Sequence, residues 1–287
     1  MLNKPFKVIA TAIAKSPNLE ANIFESMRVT SKLGDKLILI HVGKRTDEDE
    51  RSFNDIIKSS DVQLGNVELV WVEGEPASVI LEIAKAKQVD LIIAGAVPRE
   101  GLLRYYMGSV ARRLVRGADC SILLLTHPNK LQSTCGKVVV NGLDHPKTAD
   151  TIKVAASVAT RLGSRELTIV EEVDPSKIGT KVDDDLSLKK ANRAKQNIEK
   201  NEEKRIQGIL KEIESELSLK VGQKCIFGKK GYTISHFTES QCADLLVMNS
   251  PDTKLGFLDR MFTHDLEYIL SELPSDLLIV HSKLNQN

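Results

Sequence analysis

The residues best suited to chemistry in this chain are two glycines and a hydroxyl. Gly95 closes the short apolar run that starts at Asp90, and after twelve intervening residues Gly108-Ser109 opens an amphipathic stretch. A loop that feeds a helix N-terminus in this way gathers unpaired backbone N–H groups at the positive end of the helix dipole. Such a place can hold phosphate. Arg99, Arg104, Arg112, Arg113 and Arg116 surround it and would raise the local concentration of anions. Arg112 and Arg116 also share one helical face at i,i+4 and could pair with acidic residues of a neighbouring domain. Other chemistry is sparse. Walker A, GxGxxG and GxSxG patterns are absent, so no catalytic residue is singled out, and His41 at a strand end reads as structural. Four scattered cysteines, six dispersed histidines and no HxxxH pair give no metal site to expect. Asp183 to Asp185 read as a solvated helix start.

Around these residues the pattern alternates between strands and helices. Phe6 to Ile13, Lys36 to Val42, Val67 to Val72, Asp90 to Gly95 and Ser121 to Leu125 read as buried strands. Between them lie a helix from Ser16-Pro17 to Gly34, one over Phe53 to Ser59, one over Ala77 to Lys87, and one opened by Ser109 as N-cap. Ala96 to Met107 reads as a loop, broken by Pro98 and Gly101. Alternation of this kind argues for a parallel sheet with helices on both faces.

The second half repeats the first. RLGSRELTIV echoes SKLGDKLILI, and Asp244 to Met248 echoes Asp90 to Ala94. Lys137 to Leu143 should be a strand and Pro146 to Leu162 a helix. Gly34 pairs with Gly163 at an offset of 129, but Leu91 pairs with Leu245 at 154, so 25 residues must be inserted between Asp174 and Leu219. A long Lys/Glu-rich helix with an apolar stripe (Leu188, Ala191, Ile198, Ile206, Ile209, Leu210, Ile213, Leu217) fits there, over about 184–218. It should pack on its own sheet. The domains expected are 1–126 and 137–287, joined by a polar linker over 127–136. A charged content of 28% with 41% apolar residues suits a soluble globular chain, and no run is long enough to span a bilayer. A net charge of +1 and 4% aromatic residues argue against nucleic acid as a partner. The N-terminus lacks a signal-peptide core, so a cytoplasmic protein with reduced cysteines is expected.

The phosphate-loop residues carry a resemblance. A strand-ending glycine, then twelve residues leading to Gly-Ser, resembles the universal stress protein family, whose loop runs Gly, two residues, Gly, nine residues, Gly, Ser or Thr. Gly95, Gly108 and Ser109 match it, while Pro98 stands where the middle glycine would be. The resemblance implies an α/β fold of two tandem doubly wound domains. Each would be a five-stranded parallel sheet flanked by helices, of the adenine-nucleotide alpha-hydrolase-like type. It implies nucleotide contacts at Ala12, Ala14, Val42, Gly95, Gly108, Ser109 and Val110, with ATP or AMP as ligand and no obligatory cofactor. Ala14 falls where family binders place a ribose-holding aspartate. In the second half Asp144 lies near that position, but Asn249, Asp252 and Phe262-Thr263 replace the loop residues, so no triphosphate is expected there. The resemblance also implies pairing of the last strands, Ser121 to Leu125 against Asp276 to Val280, within one chain, and a further homodimer is open. The implied function is stress-response regulation. The alternatives are a nucleotide-independent scaffold acting through protein partners, or, last, a slow ATPase.

Overall fold

The computed structural model describes residues 3–98, 105–131, 134–179, 181–213, 219–251 and 264–282. Ten strands form one sheet. In the first half these are β1 (Val8–Ile13), β2 (Lys36–Val42), β3 (Val67–Val72), β4 (Leu91–Gly95) and β7 (Ser121–Leu125). In the second half they are β8 (Lys137–Asn141), β9 (Glu166–Val173), β10 (Lys220–Phe227), β11 (Leu245–Asn249) and β12 (Asp276–Val280). The order across the sheet is β10-β9-β8-β11-β12-β7-β4-β1-β2-β3. Neighbours are parallel except β12 and β7, which pair antiparallel through Leu277–Leu124, Leu278–Leu123 and Ile279–Ile122. This is the pairing of last strands expected above, and it turns two edges into the centre of the sheet.

Strands buried on both faces need helices on both sides. One face carries α1 (Leu19–Leu33), α2 (Asp47–Ser59), α5 (Thr148–Leu162) and α6 (Asp185–Lys211). The other carries α3 (Pro76–Ala86), α4 (Ser109–Gly117), α7 (Tyr232–Ser240) and α8 (His264–Ser271). Side-chain alternation along each strand feeds both layers. In β4, Leu91 and Ile93 pack with Ile23 and Met27 of α1, while Ile92 and Ala94 pack with Ile80 of α3 and Leu114 of α4. Each apolar layer draws residues from both halves.

The repeat extends to individual hydrogen bonds. Asp90 Oδ2 accepts from the amides of Lys7 and Val8 at 2.9 and 3.0 Å, and Asp244 Oδ2 accepts from Gly136 and Lys137 at 2.8 and 2.9 Å. At the central strand pair, Ser121 Oγ accepts from His281 N at 3.1 Å, and its counterpart Asp276 accepts through Oδ1 from Thr126 N at 2.8 Å.

Several boundaries differ from those read in the sequence. The strand expected from Phe6 begins at Val8, and the one expected to Leu143 ends at Asn141. The helices expected from Ser16 and Pro146 start at Leu19 and Thr148. Ser16-Pro17-Asn18 is instead a turn closed by Leu19 N on the Ser16 carbonyl at 3.0 Å. The charged stretch after Lys44 is already the start of α2, because Thr46 caps it by accepting from Asp49 N. The segment expected as a plain loop holds two short strands, β5 (Val97–Pro98) and β6 (Tyr105–Tyr106), paired antiparallel. Gly101, Arg99 and Arg104 lie outside the described residues. The long helix is no added element. It stands between β9 and β10 as α2 stands between β2 and β3, and it has 27 residues against 13. Asp184 caps it in a capping box with Ser187. Ala191, Ile206 and Ile213 are buried on the sheet side, while Leu188 stays exposed; Leu217 lies outside the described residues.

Candidate functional site

In an open α/β sheet ligands bind where strand order reverses, beyond the carboxyl ends of the strands. Here that reversal falls between β1 and β4, and again between β8 and β11. The first crevice is bounded by the ends of β1, β2 and β4 and by the start of α4. Ala12 is half-buried in β1 and Ala14 exposed just after it; Val42 ends β2; Gly95 ends β4 and is exposed. Gly108 is the N-cap of α4, so Ser109 takes the first helical position, a correction to its expected capping role. No side chain among the described residues caps this helix, which leaves the first-turn amides, those of Ser109 and Val110 included, for another acceptor.

The two glycines have different reasons. A Cβ on Gly108 would come within 2.8 Å of Val97 Cγ2, so the hairpin packed over the helix start demands glycine there. Among the described residues, a Cβ on Gly95 would meet only Asn22, at 3.7 Å, which is ordinary contact. Their packing therefore does not require glycine at 95, and they leave the space beside it open. Asn22 of α1, facing this opening, escaped the sequence reading. So did Lys15, whose ammonium reaches Asp49 in the first turn of α2. Lys15 first and then Thr46 hold the Asp49 carboxyl below its ordinary range. His41 is buried, with Nδ1 3.2 Å from the Ile13 carbonyl and its ring edge-on to Phe53 and Trp71. It ties the end of β1 to β2 and faces away from solvent.

The arginines are largely committed. Arg112 pairs with Glu267 of α8 at 2.7 Å, and Arg116 lies 3.7 Å from the same carboxylate. Arg113 pairs with Glu75 at 2.6 Å. The i,i+4 pair thus reaches into the other half of the chain, where Met107 N also donates to the Leu270 carbonyl.

The second crevice is filled from within. Lys147 is buried, and its ammonium donates to the carbonyls of Ser250 and Pro251, both at 3.2 Å. Asn249, where the first glycine would stand, donates through Nδ2 to Thr148 Oγ1 at 3.1 Å. On the β9 side Arg205 of α6 donates to the Gly142 carbonyl and to Glu171, the latter at 2.7 Å. Burial pushes the Glu171 carboxyl up to about 7; Arg205 works against this and Glu202 with it. Asp144 is exposed and 4.0 Å from Arg205. Asp252 and Phe262-Thr263 lie outside the described residues. Lys147 and Arg205 gave no sequence signal, since each looks like an ordinary surface cation until the fold carries it over a strand end.

This geometry can be set beside known proteins. Residues 41–126 match the model of the universal stress protein family. Over that stretch, under a third of the chain, the sequence is similar to that family. Universal stress protein MJ0531 of Methanocaldococcus jannaschii is 42% identical over 59 residues, which is 21% of this chain and 35% of that protein. Universal stress protein YxiE of Bacillus subtilis is 36% identical over 58 residues, 20% of this chain and 39% of that protein. The matched stretch thus spans just over a third of these relatives' length. Among solved structures, a universal stress protein from Archaeoglobus fulgidus superposes with a TM-score of 0.67 at 14% identity, covering 98% of this chain and 100% of that one. A functionally unknown protein from Pseudomonas aeruginosa PAO1 gives 0.69 at 15%, covering 96% and 93%. At such identities the likeness shows the fold, over nearly the whole chain.

Proposed function

We propose that this chain is a universal stress protein, a cytoplasmic stress-response regulator that senses an adenine nucleotide, ATP or AMP, in its first half. Residues 1–126 and 137–287 are then two domains with unequal roles. One contrast carries the reading. Among the described residues, the first-turn amides of α4 stand uncapped beside an open Gly95, whereas the matching crevice of the second half is filled by Lys147 and Arg205. In this assignment Gly95, Gly108, Ser109 and Val110 meet phosphate, the Val42 backbone meets adenine, and Ala12 and Ala14 border the ribose. Ala14 offers no carboxylate. A missing charge-assisted hydrogen bond of about 1.5–3 kcal/mol weakens binding by roughly 10- to 100-fold.

Calorimetry with ATP and AMP at millimolar concentration tests this. Ser109 is exposed, so Ser109→Asp leaves the core alone and sets a carboxylate against the phosphates; it should abolish the heat. Ala14→Asp should strengthen binding about tenfold or more. Full-strength binding by Ser109→Asp would refute the placement. A second reading, a scaffold acting through protein partners, is favoured by one observation: Leu186 and Leu188 are exposed at the start of α6. Leu186→Glu with Leu188→Glu should then change the proteins retained by the immobilised chain, and an unchanged profile would dismiss that surface.

A further inference from the structure

The face of the sheet that carries α1 and α5 has a gap over its centre. β7 and β12 are the last strands of their halves, so no later helix returns to cover them on that side, and α4 and α8 lie on the other. Thr126, His127, Asn129, Thr134 and Cys135, from the connection between the halves, border the gap. Beneath it is a cavity of 460 Å³, within the usual range of small-molecule pockets. Leu123 and Leu278 form its floor, and Val29 of α1 and Val158 of α5 line its walls. It shares no residue with either crevice.

Its polar groups are unequal. Arg28 is committed: it pairs with Glu25 at 2.7 Å and donates to the carbonyls of Asn129 and Lys130. Asp244 is engaged by the two amides described above. Asp276 uses one oxygen, Oδ1, to accept from Thr126 N and from Thr126 Oγ1 at 2.7 Å. No described hydrogen bond reaches its other oxygen. Pseudosymmetry shows that the fold does not need this charge, because Ser121 does the same work with a hydroxyl in the first half. The aspartate therefore adds a negative charge to a cavity that is mostly apolar and is also bordered by Glu25, Arg28, Lys32 and Asp244. Burial pushes its carboxyl up to about 6, and Glu25 and Asp244 push the same way. A cation beside Asp276 would relieve all three effects.

We propose that this cavity is a binding site for a small amphipathic amine, its ammonium on Asp276 and its apolar body between Val29 and Val158. The shape and lining supply the body's site, and the acidic end supplies the polarity.

The probe is 4-phenylbutylamine, with 4-phenylbutanol and 4-phenylbutyrate as controls, titrated calorimetrically into the full chain at pH 7.5. The amine should bind, the alcohol at least tenfold more weakly, and the acid not at all. Asp276→Ser keeps the bond to Thr126 in the manner of Ser121. It should leave the melting temperature near that of the parent and weaken the amine about 10- to 100-fold, with the alcohol unaffected. Asp276→Asn, which keeps the volume, should do the same. Methyl resonances of Leu123 and Leu278 should shift on titration. Failure of the amine to bind at millimolar concentration overturns the proposal. So does equal binding of amine and alcohol, full affinity in both Asp276 variants, or binding that leaves those methyls unmoved.

Discussion

Removing the guanidinium of Arg205 should loosen α6 in a way that depends on pH. Glu171 is 2% exposed, and Arg205 reaches it at 2.7 Å while also holding the Gly142 carbonyl. In Arg205→Ala, Glu171 keeps Glu202 as a neighbour and loses its cation. Breaking a buried pair costs about 3–5 kcal/mol. Arg205 is partly exposed to solvent, at 24%, and Glu171 can escape by taking a proton. A loss of about 2–3 kcal/mol at pH 8 is therefore expected. The folded carboxyl titrates near 7, above its ordinary value, so its charge opposes folding above that pH and the penalty fades as pH falls through 7. At pH 5.5 Glu171 is protonated with or without Arg205, and only ordinary hydrogen bonds are lost, about 1 kcal/mol. Urea unfolding at the two pH values measures this, and hydrogen exchange of the α6 amides locates it. Glu171→Gln in the Arg205→Ala background should recover most of the pH 8 loss. Equal losses at both pH values, or no recovery, would refute the reasoning.

Two further outcomes follow from local geometry. Gly34 and Gly163 are repeat partners held for different reasons. Gly163 has φ +78° with nothing near a Cβ, so Gly163→Ala should cost about 1 kcal/mol and Gly163→Asn less. Gly34 is extended, but a Cβ would sit 2.7 Å from Ile9 Cδ1, so Gly34→Ala and Gly34→Asn should both cost about 1–3 kcal/mol by overpacking, read from thermal melts. Iodoacetamide at pH 8, followed by mass spectrometry, should modify exposed Cys242 first. Burial pushes the Cys135 thiol up to about 12 and the Cys225 thiol to about 11, which keeps both protonated. Alkylation of Cys135 at the rate of Cys242 would contradict that burial.

The sheet was legible because its strands are runs such as KLILIHV that can only be buried, and because the chain states the pattern twice. The central β7–β12 pairing followed from the family resemblance; i,i+4 spacing put Arg112 and Arg116 on one face able to meet acidic residues of the other half, but gave no partner, and Glu267 came from the fold. Helix starts were less legible. Ser16-Pro17 satisfies the rules for a helix N-terminus, yet the chain spends those residues on a turn, and Gly108 rather than Ser109 caps α4. Closure of the second crevice could not be read, since Lys147 and Arg205 act across more than sixty residues of sequence, on Ser250 and Gly142. A long-range contact of that kind leaves no local periodicity. The same holds for the central cavity, which comes from where helices fail to return rather than from any motif.

The antiparallel splice of β7 to β12 has a consequence for how this chain can vary. Two identical subunits meeting at that edge make every off-axis contact twice, residue i on j and j on i, so each change is made twice. Joined in one polypeptide, the two sides are free to differ. A serine at 121 can occupy the place that an aspartate at 276 takes in the other half, and an arginine on one half can find a glutamate that the other half alone supplies. Tethering thus lets one copy wall up its crevice while the other leaves its own open.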